Sequence, residues 1–279
     1  VPMCLYVGDL WPDTLFSHGI GSKKVKTIIT NACANIYKKS DCIIVTNESF
    51  YEPIKNYTKG TRKITYIPQA VEDIYKPLEG SNKLRKTLGI DDNDFVVMFA
   101  GNIGFAQSPK TIVEAAKITK LETRIHYVFV GDGTLKKECE EFCCENDLSN
   151  VHFIGRKPQD EMPSLIAQAD AMLITLKDQS NYNLTLPGRT QAFMACGKPI
   201  ICCANGETAR VIRESKSGFT AQAENPSALS DIVIKCAKTD INELRKIGEN
   251  GLLYSKEHYD RTSVFSKIES VLKEMKYEK

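Results

Sequence analysis

Short apolar runs alternate with helix-like segments through much of the chain, and this alternation restricts the fold more than any other feature. The apolar runs are bounded by glycine, proline or polar residues, which is typical of buried strands. The predicted strands are 95–100, 127–130, 151–154, 171–175 and 199–203. The predicted helices between them are 109–119, 135–146, 160–168 and 189–196. This order predicts an α/β fold with a parallel sheet and helices on both faces.

The first 70 residues show the same alternation on a smaller scale. Strands are predicted at 4–7, 42–45 and 64–67, and helices at 23–39 and 49–57. Residues 68–77 have a proline at each end and no periodicity, so we interpret them as a linker. The tail at 226–275 is predicted to be almost entirely helical.

Composition excludes several classes of protein. Hydrophobic residues make up 42% and charged residues 26%, as in ordinary globular domains, and the 279 residues suffice for about two of them. No apolar run approaches the roughly 18 residues that span a bilayer. Ten scattered cysteines without a CxxC pair favour a reducing compartment. The four histidines lie far apart in the sequence and away from cysteine pairs, so we expect no metal site.

The net charge of +2 is unevenly distributed. Residues 1–70 hold nine basic and five acidic residues, a balance of +4, and the remainder of the chain balances at −2. A basic first segment is compatible with an anionic lipid surface or a phosphorylated acceptor. A solvated helix face explains the same counts.

Residues 184–207 contain a loop, a helix and a buried strand in succession. Pro187 and Gly188 precede the helix, Gly197 ends it, and Arg189 lies in its first turn. The first N–H groups of a helix have no internal partner, and an arginine beside them adds charge that suits phosphate oxygens. This segment therefore predicts an anion site, although a connection that binds nothing fits the same spacing.

Three further turns follow predicted strands at the carboxyl edge of the sheet, where open α/β sheets bind ligands. The first contains Gly101 and Gly104 and continues to Ser108 and Pro109, which suit a helix N-cap and first position. The glycines would let backbone approach a pyrophosphate, although a tight turn needs them as well. The other two turns are 130–133 and 155–157, and a charge in the last is also compatible with an ordinary surface.

The stretch from Pro187 to Pro199 resembles the donor-site motif of family 4 glycosyltransferases, which retain configuration and have the GT-B fold of two Rossmann-like domains. Many members carry two glutamates eight residues apart. Here Asn183 and Gln191 stand at those positions, so both carboxylates are replaced by amides. This departure is similar to the fucosaminyl transferase branch that builds bacterial surface polysaccharides.

The resemblance implies a retaining, metal-independent transfer of a sugar from a nucleotide-sugar, most simply UDP-linked, to a lipid-linked or polysaccharide-precursor acceptor. The donor is a substrate, so no cofactor is expected, and no nucleic-acid partner is expected. The implied location is cytoplasmic, at the inner face of the plasma membrane through peripheral association.

The resemblance also implies domains and site residues. A remnant of an acceptor-side domain would span 1–70, a linker 71–80, a nucleotide-sugar domain 81–258, and a C-terminal helix that crosses back to the first domain 259–279. The expected catalytic residues are Arg189, Gln191 and Asn183. The expected donor-binding residues are Gly101, Asn102, Gly104, Gln107, Asp132, Arg156, Leu186, Pro187, Gly188 and Glu207. For Glu207, helix capping is an alternative to binding donor-sugar hydroxyls.

Two other functions remain open from the sequence. A GT-B nucleotide-sugar 2-epimerase would need catalytic carboxylates and a histidine, which the amides at 183 and 191 disfavour. A nucleotide-binding fragment without turnover is the other alternative. Because residues 1–70 would form an incomplete domain, we expect them to be less protected from hydrogen exchange than residues 95–220.

Overall fold

The structure is a computed structural model that describes residues 2–17 and 22–277. Its internal contacts divide the chain into two compact units. The first unit comprises Val1–Ala70, Gln179–Leu186 and His258–Lys279. The second comprises Val71–Asp178 and Pro187–Glu257. Residues 179–186 thus group with the first unit, whereas the sequence boundaries placed them in the nucleotide-sugar domain.

The first unit contains a three-stranded parallel sheet in the order β1-β2-β3. Its strands are β1 (Cys4–Val7), β2 (Cys42–Val45) and β3 (Lys63–Tyr66). Its helices are α1 (Asp13–Ser17), α2 (Lys23–Lys39), α3 (Tyr51–Thr58), α8 (Ser180–Asn183) and α13 (Arg261–Tyr277), with a 3-10 turn at Glu48–Phe50.

Alternate residues of β2 supply two separate cores, because successive strand residues point to opposite faces of a sheet. Ile43 and Val45 belong to one cluster, which includes Tyr37 of α2. Cys42 and Ile44 belong to the other, which includes valines 264 and 271 of α13. The C-terminal helix therefore covers one face of this sheet.

The second unit contains six parallel strands in the order β6-β5-β4-β7-β8-β9. The strands are β4 (Phe95–Ala100), β5 (Ile125–Val130), β6 (Val151–Phe153), β7 (Ala171–Thr175), β8 (Ile200–Cys203) and β9 (Gly218–Ala221). Numbered within the unit, this order is 3-2-1-4-5-6, the doubly wound arrangement of Rossmann-like domains. The predicted α/β class with parallel sheets is confirmed.

Among the described residues, eight helices belong to the second unit, and the last of them ends one residue beyond it. They are α4 (Lys83–Leu88), α5 (Pro109–Ile118), α6 (Lys136–Glu145), α7 (Met162–Ala167), α9 (Gly188–Ala195), α10 (Gly206–Glu214), α11 (Pro226–Lys238) and α12 (Ile241–His258). Two 3-10 turns, Phe105–Gln107 and Gln159–Glu161, precede α5 and α7. One buried core joins the aromatic and aliphatic residues of the central strands to α5, α6 and α11.

Two local features were not evident from the sequence. Ser108 and Pro109 occupy the predicted N-cap and first positions of α5, but Ser108 has a left-handed backbone (φ 44°), and its hydroxyl lies 3.0 Å from the hydroxyl of Thr111 and does not cap the helix. His126 and His152 are far apart in sequence but adjacent in space, because they lie on neighbouring strands and their ring nitrogens approach to 3.2 Å. Across the described ranges, no helix combines the length and apolar character needed to cross a bilayer.

Candidate functional site

The order of the six strands creates a switch point between β4 and β7. These two strands are neighbours in the sheet, and the chain leaves them toward opposite edges. Open α/β sheets bind ligands outside the carboxyl ends of strands at such a point. Gly101 follows β4 and Thr175 ends β7, so the predicted glycine loop lies at this position.

The loops after β4 and β5 pass each other in backbone contact. Gly101 and Gly131 have positive φ values of 149° and 143°. A Cβ on Gly131 would lie 1.9 Å from the carbonyl oxygen of Gly101. The amide of Gly101 donates to the carbonyl of Val130 at 2.9 Å, and that of Ile103 donates to the carbonyl of Asp132 at 2.8 Å. Glycine is required because a side chain at residue 131 would separate these loops.

The side chain of Asn102 lies between two further glycines. A Cβ on Gly104 would approach its amide nitrogen to 2.5 Å, and a Cβ on Gly133 would approach its oxygen to 2.6 Å. Gln107 lies in the following 3-10 turn, where its carbonyl accepts from the hydroxyl of Thr175. The loop after β4 is thereby attached to the end of β7.

A cavity of about 330 Å³ opens at this edge of the sheet. Its lining includes four of the predicted donor-binding residues, namely Gly101, Asn102, Asp132 and Arg156. The rest of the lining is Val130, Gly131, Lys157 and Met162. One carboxylate and two cations give the lining a balance of +1, which suits an anionic ligand.

Arg189 reaches the switch point from the first turn of α9. Its guanidinium carbon lies 5.2 Å from the centroid of the Phe99 ring, and Nη2 lies 3.5 Å from the carbonyl oxygen of Thr175. A Cβ on Gly101 would lie 2.6 Å from Nη1. The structure therefore brings Arg189, Gly101 and the end of β7 together.

The charge of Arg189 is not compensated by a carboxylate of the described chain. Its Nε is buried and has no hydrogen-bond partner among the described residues. Burial lowers the pKa of the guanidinium to about 10, so it remains charged at neutral pH. A desolvated cation without a counter-ion favours binding of an anion.

Other predicted residues of this segment have distinct environments. Pro187 precedes α9 with an extended backbone, and Gly188 begins the helix and is exposed. Gln191 is 3% exposed, so its amide is buried within the helix packing. The hydroxyl of Thr190 is buried and has no hydrogen-bond partner in the described part of the chain.

Glu207 is buried in the first turn of α10 and pairs with Arg210. Its two carboxylate oxygens accept from the guanidinium at 3.1 and 2.7 Å. Arg210 also donates to Glu214 at 2.6 Å, and these carboxylates raise the pKa of the arginine. The pairing with Arg210 fixes the orientation of the Glu207 carboxylate.

Asn183 and Leu186 belong to the first unit, and the remaining predicted site residues belong to the second. Asn183 ends the short helix α8. The amide of Leu186 donates to the side-chain oxygen of Asn47 at 2.9 Å, and both residues are buried. Their roles in donor binding stay predictions.

No group of three or more histidine, cysteine or acidic side chains in the described ranges has a metal-binding arrangement. All ten cysteines are free thiols. Burial raises the pKa of Cys196 and Cys202 to about 12, so these thiols stay protonated.

Sequence reasoning missed two residues at the site. Met162 lines the cavity, although the pattern around it indicated only a helix. Phe99 was predicted as a core strand residue, and its contact with Arg189 depends on which strands are neighbours. No signal in the sequence pairs Phe99 with Arg189, since 90 residues separate them.

Comparison with known proteins gives consistent relatives. The family described as "Glycosyl transferases group 1" matches residues 80–253. The probable glycosyltransferase WbjE of Pseudomonas aeruginosa is 24% identical over 245 residues, covering 86% of this chain and 61% of its own. The alpha-galactosylglucosyldiacylglycerol synthase of Streptococcus pneumoniae is 27% identical over 256 residues, and the match covers 84% of this chain and 65% of the synthase. The chain thus spans less than two thirds of these relatives.

Solved structures agree on the fold. Anabaena Alr3699/HepE in complex with UDP has a TM-score of 0.80 at 18% identity, covering 98% of this chain and 72% of that one. WaaG, a glycosyltransferase involved in lipopolysaccharide biosynthesis, has a TM-score of 0.72 at 16% identity, and the match covers 91% of this chain and 70% of WaaG. These neighbours are GT-B glycosyltransferases, which confirms the predicted fold class. Because the family match covers more than half of its residues, this chain belongs to the group 1 glycosyl transferases.

Proposed function

We propose that the protein containing this chain transfers a hexosyl-type sugar from a UDP-sugar, with retention of configuration and without an essential metal ion. Within the family, we assign it to family 4 and to the branch similar to fucosaminyl transferases. The motif from Pro187 to Pro199, with amides at 183 and 191, supports this assignment.

The observation that carries the proposal is the uncompensated charge of Arg189 at the switch point. A partly buried guanidinium without a carboxylate partner, with its Nε inaccessible to solvent, is unfavourable unless an anion completes the site. The adjacent cavity of about 330 Å³ has room for part of a nucleotide. A nucleoside diphosphate satisfies both features, because its phosphates supply the charge and its base supplies a planar group for the cavity.

Arg189 also provides chemistry for the transfer. When the bond between the sugar and the diphosphate breaks, negative charge increases on the leaving phosphate. A fixed guanidinium at the helix N-terminus stabilises that charge, as a divalent cation would in a metal-dependent transferase. In this proposal Asn183, Gln191 and Glu207 orient the donor sugar.

Two structures of one neighbouring protein support the choice of donor. Anabaena Alr3699/HepE is described in complex with UDP and with UDP-glucose, at TM-scores of 0.80 and 0.78. Asp132, Arg156 and Lys157 line the cavity where we place the base.

For the acceptor, we propose a lipid-linked saccharide or polysaccharide precursor at an anionic membrane surface on the cytoplasmic side. Helix α2 carries five lysines and no acidic residue, and Val25, Ile28 and Ile36 on it are exposed. Basic and apolar side chains together suit an anionic headgroup layer. Two relatives have names that refer to a glycolipid synthase and to colanic acid biosynthesis. Sedimentation with vesicles should show binding to anionic lipid and none to zwitterionic lipid.

Titration calorimetry with UDP tests the proposed donor site. Arg189→Ala should weaken binding by about 1.5 to 3 kcal/mol, the contribution of a hydrogen bond to a charged group. Arg245→Ala, at an exposed position of α12, is the matched control and should leave affinity unchanged. Binding should also survive EDTA. Unchanged affinity in Arg189→Ala, or a requirement for Mg²⁺ or Mn²⁺, would contradict the proposal.

A further inference from the structure

We infer that Phe99 is a positioning residue that holds the Arg189 guanidinium in place for the donor diphosphate. The inference rests on the proposed function and identifies what orients the charged group of that site. Phe99 lies in β4, only two residues before Gly101, and is 1% exposed.

The ring of Phe99 is a major contact that holds the Arg189 guanidinium in place. The guanidinium carbon is 5.2 Å from the ring centroid, within the range of a cation–π interaction. Its Nη2 donates to the carbonyl oxygen of Thr175 at the long distance of 3.5 Å. The buried Nε has no hydrogen-bond partner in the described part of the chain. Hydrogen bonding by itself therefore does not fix the guanidinium.

An aromatic support has a consequence that a carboxylate would not have. The ring face attracts the cation through its quadrupole but does not neutralise it, so the positive charge stays available to phosphate. The N–H donors point in the guanidinium plane, and a ring contact leaves them free for anion oxygens. The absence of a side chain at Gly101 lets Nη1 approach the end of β4.

The chain offers a matched control for the ring. Phe129 is the register partner of Phe99 on β5, and it is likewise 1% exposed in the same core. The two ring centroids are 5.6 Å apart. Replacing either phenylalanine with leucine should disturb the core similarly, but only Phe99 has the guanidinium over its ring.

UDP and inorganic pyrophosphate are titrated into the wild-type chain, Phe99→Leu, Phe129→Leu, Arg189→Ala and Phe99→Leu combined with Arg189→Ala. Phe99→Leu should weaken binding about three- to thirty-fold, the range of a partly desolvated cation–π contact. Phe129→Leu should change it by less than about two-fold. In the Arg189→Ala background, the Phe99 substitution should have less than about a two-fold effect, because the positioned group is gone.

Circular dichroism checks that each variant is folded, and Phe99→Met replaces Phe99→Leu if that variant does not fold. Equal losses in Phe99→Leu and Phe129→Leu, or a full loss in the Arg189→Ala background, would show a merely structural role and overturn the inference. If the wild type binds either probe but the Phe99 and Phe129 variants do not differ as predicted, the inference about Phe99 is overturned and the proposed function is not. Failure of the wild type to bind either probe overturns the proposed function as well.

Discussion

Substituting Gly131 tests whether the candidate site depends on the close passage of the loops after β4 and β5. An alanine Cβ at this position would lie 1.9 Å from the carbonyl oxygen of Gly101 and 3.0 Å from its carbonyl carbon. Both atoms belong to the backbone, so no side chain can rotate away. The loops must therefore separate by about 1 Å before the contact becomes tolerable.

The expected loss has two sources. Holding alanine at φ 143° costs about 1 to 3 kcal/mol, because that region is nearly restricted to glycine. Separation also breaks the hydrogen bonds from Gly101 to Val130 and from Ile103 to Asp132, each contributing about 1 kcal/mol. We expect Gly131→Ala to lower the free energy of unfolding by about 3 to 5 kcal/mol.

Gly155→Ala is the matched control at the same edge of the sheet. Gly155 also has a positive φ, 70°, but a Cβ there would meet nothing within 4 Å. Only the cost of a left-handed backbone remains, about 1 to 2 kcal/mol. Urea unfolding followed by circular dichroism measures both variants. Equal losses would refute the argument from loop contact.

Three other outcomes follow from the described contacts. Arg85→Leu should lower the free energy of unfolding in urea by about 3 to 5 kcal/mol, because it leaves the Asp170 carboxylate without its 2.6 Å partner. Arg124→Leu should lower it by less than about 1 kcal/mol, because the Arg124 side chain is largely exposed and lies 3.4 Å from Asp94. Burial and the neighbouring His126 lower the pKa of His152, so at acid pH the unfolded chain binds more protons than the folded chain. The urea midpoint of the wild type should therefore fall as the pH drops below about 6.5, and it should fall less in His152→Asn. Hydrogen exchange should be faster in the three-stranded first sheet than at Ala171–Thr175 of the six-stranded sheet, and equal protection would show that the first unit is self-sufficient.

Strands with continuous apolar sequence were predictable, because burial on both faces leaves a clear pattern. The predicted strands at 95–100 and 171–175 coincide with β4 and β7. Strand β9 was missed because Gly218–Ala221 is short, partly exposed and without an apolar run. Helix α4 was missed because its six residues are mostly polar, and it is anchored by the long-range pair of Arg85 with Asp170.

The candidate site was predictable in its residue types but not in its contacts. Gly101 and Arg189 were both identified from local pattern, since a glycine turn and a helix N-terminus have local signatures. Their approach to each other depends on the strand order, which places β4 beside β7. The same order brings Phe99 under the guanidinium, and it pairs His126 with His152 at another point in the sheet.

Two arginines on successive helices show how the surroundings of a cation determine its use. Arg210 donates to Glu207 and Glu214, so its charge is compensated within α10 and its pKa is raised. Arg189 contacts a ring face and a carbonyl, and burial lowers its pKa to about 10. A ligand phosphate would have to displace a carboxylate from Arg210, whereas at Arg189 it relieves an existing desolvation cost. The difference in compensation, and not the number of basic residues, is therefore the reason why we propose Arg189 as the anion-binding cation of the two.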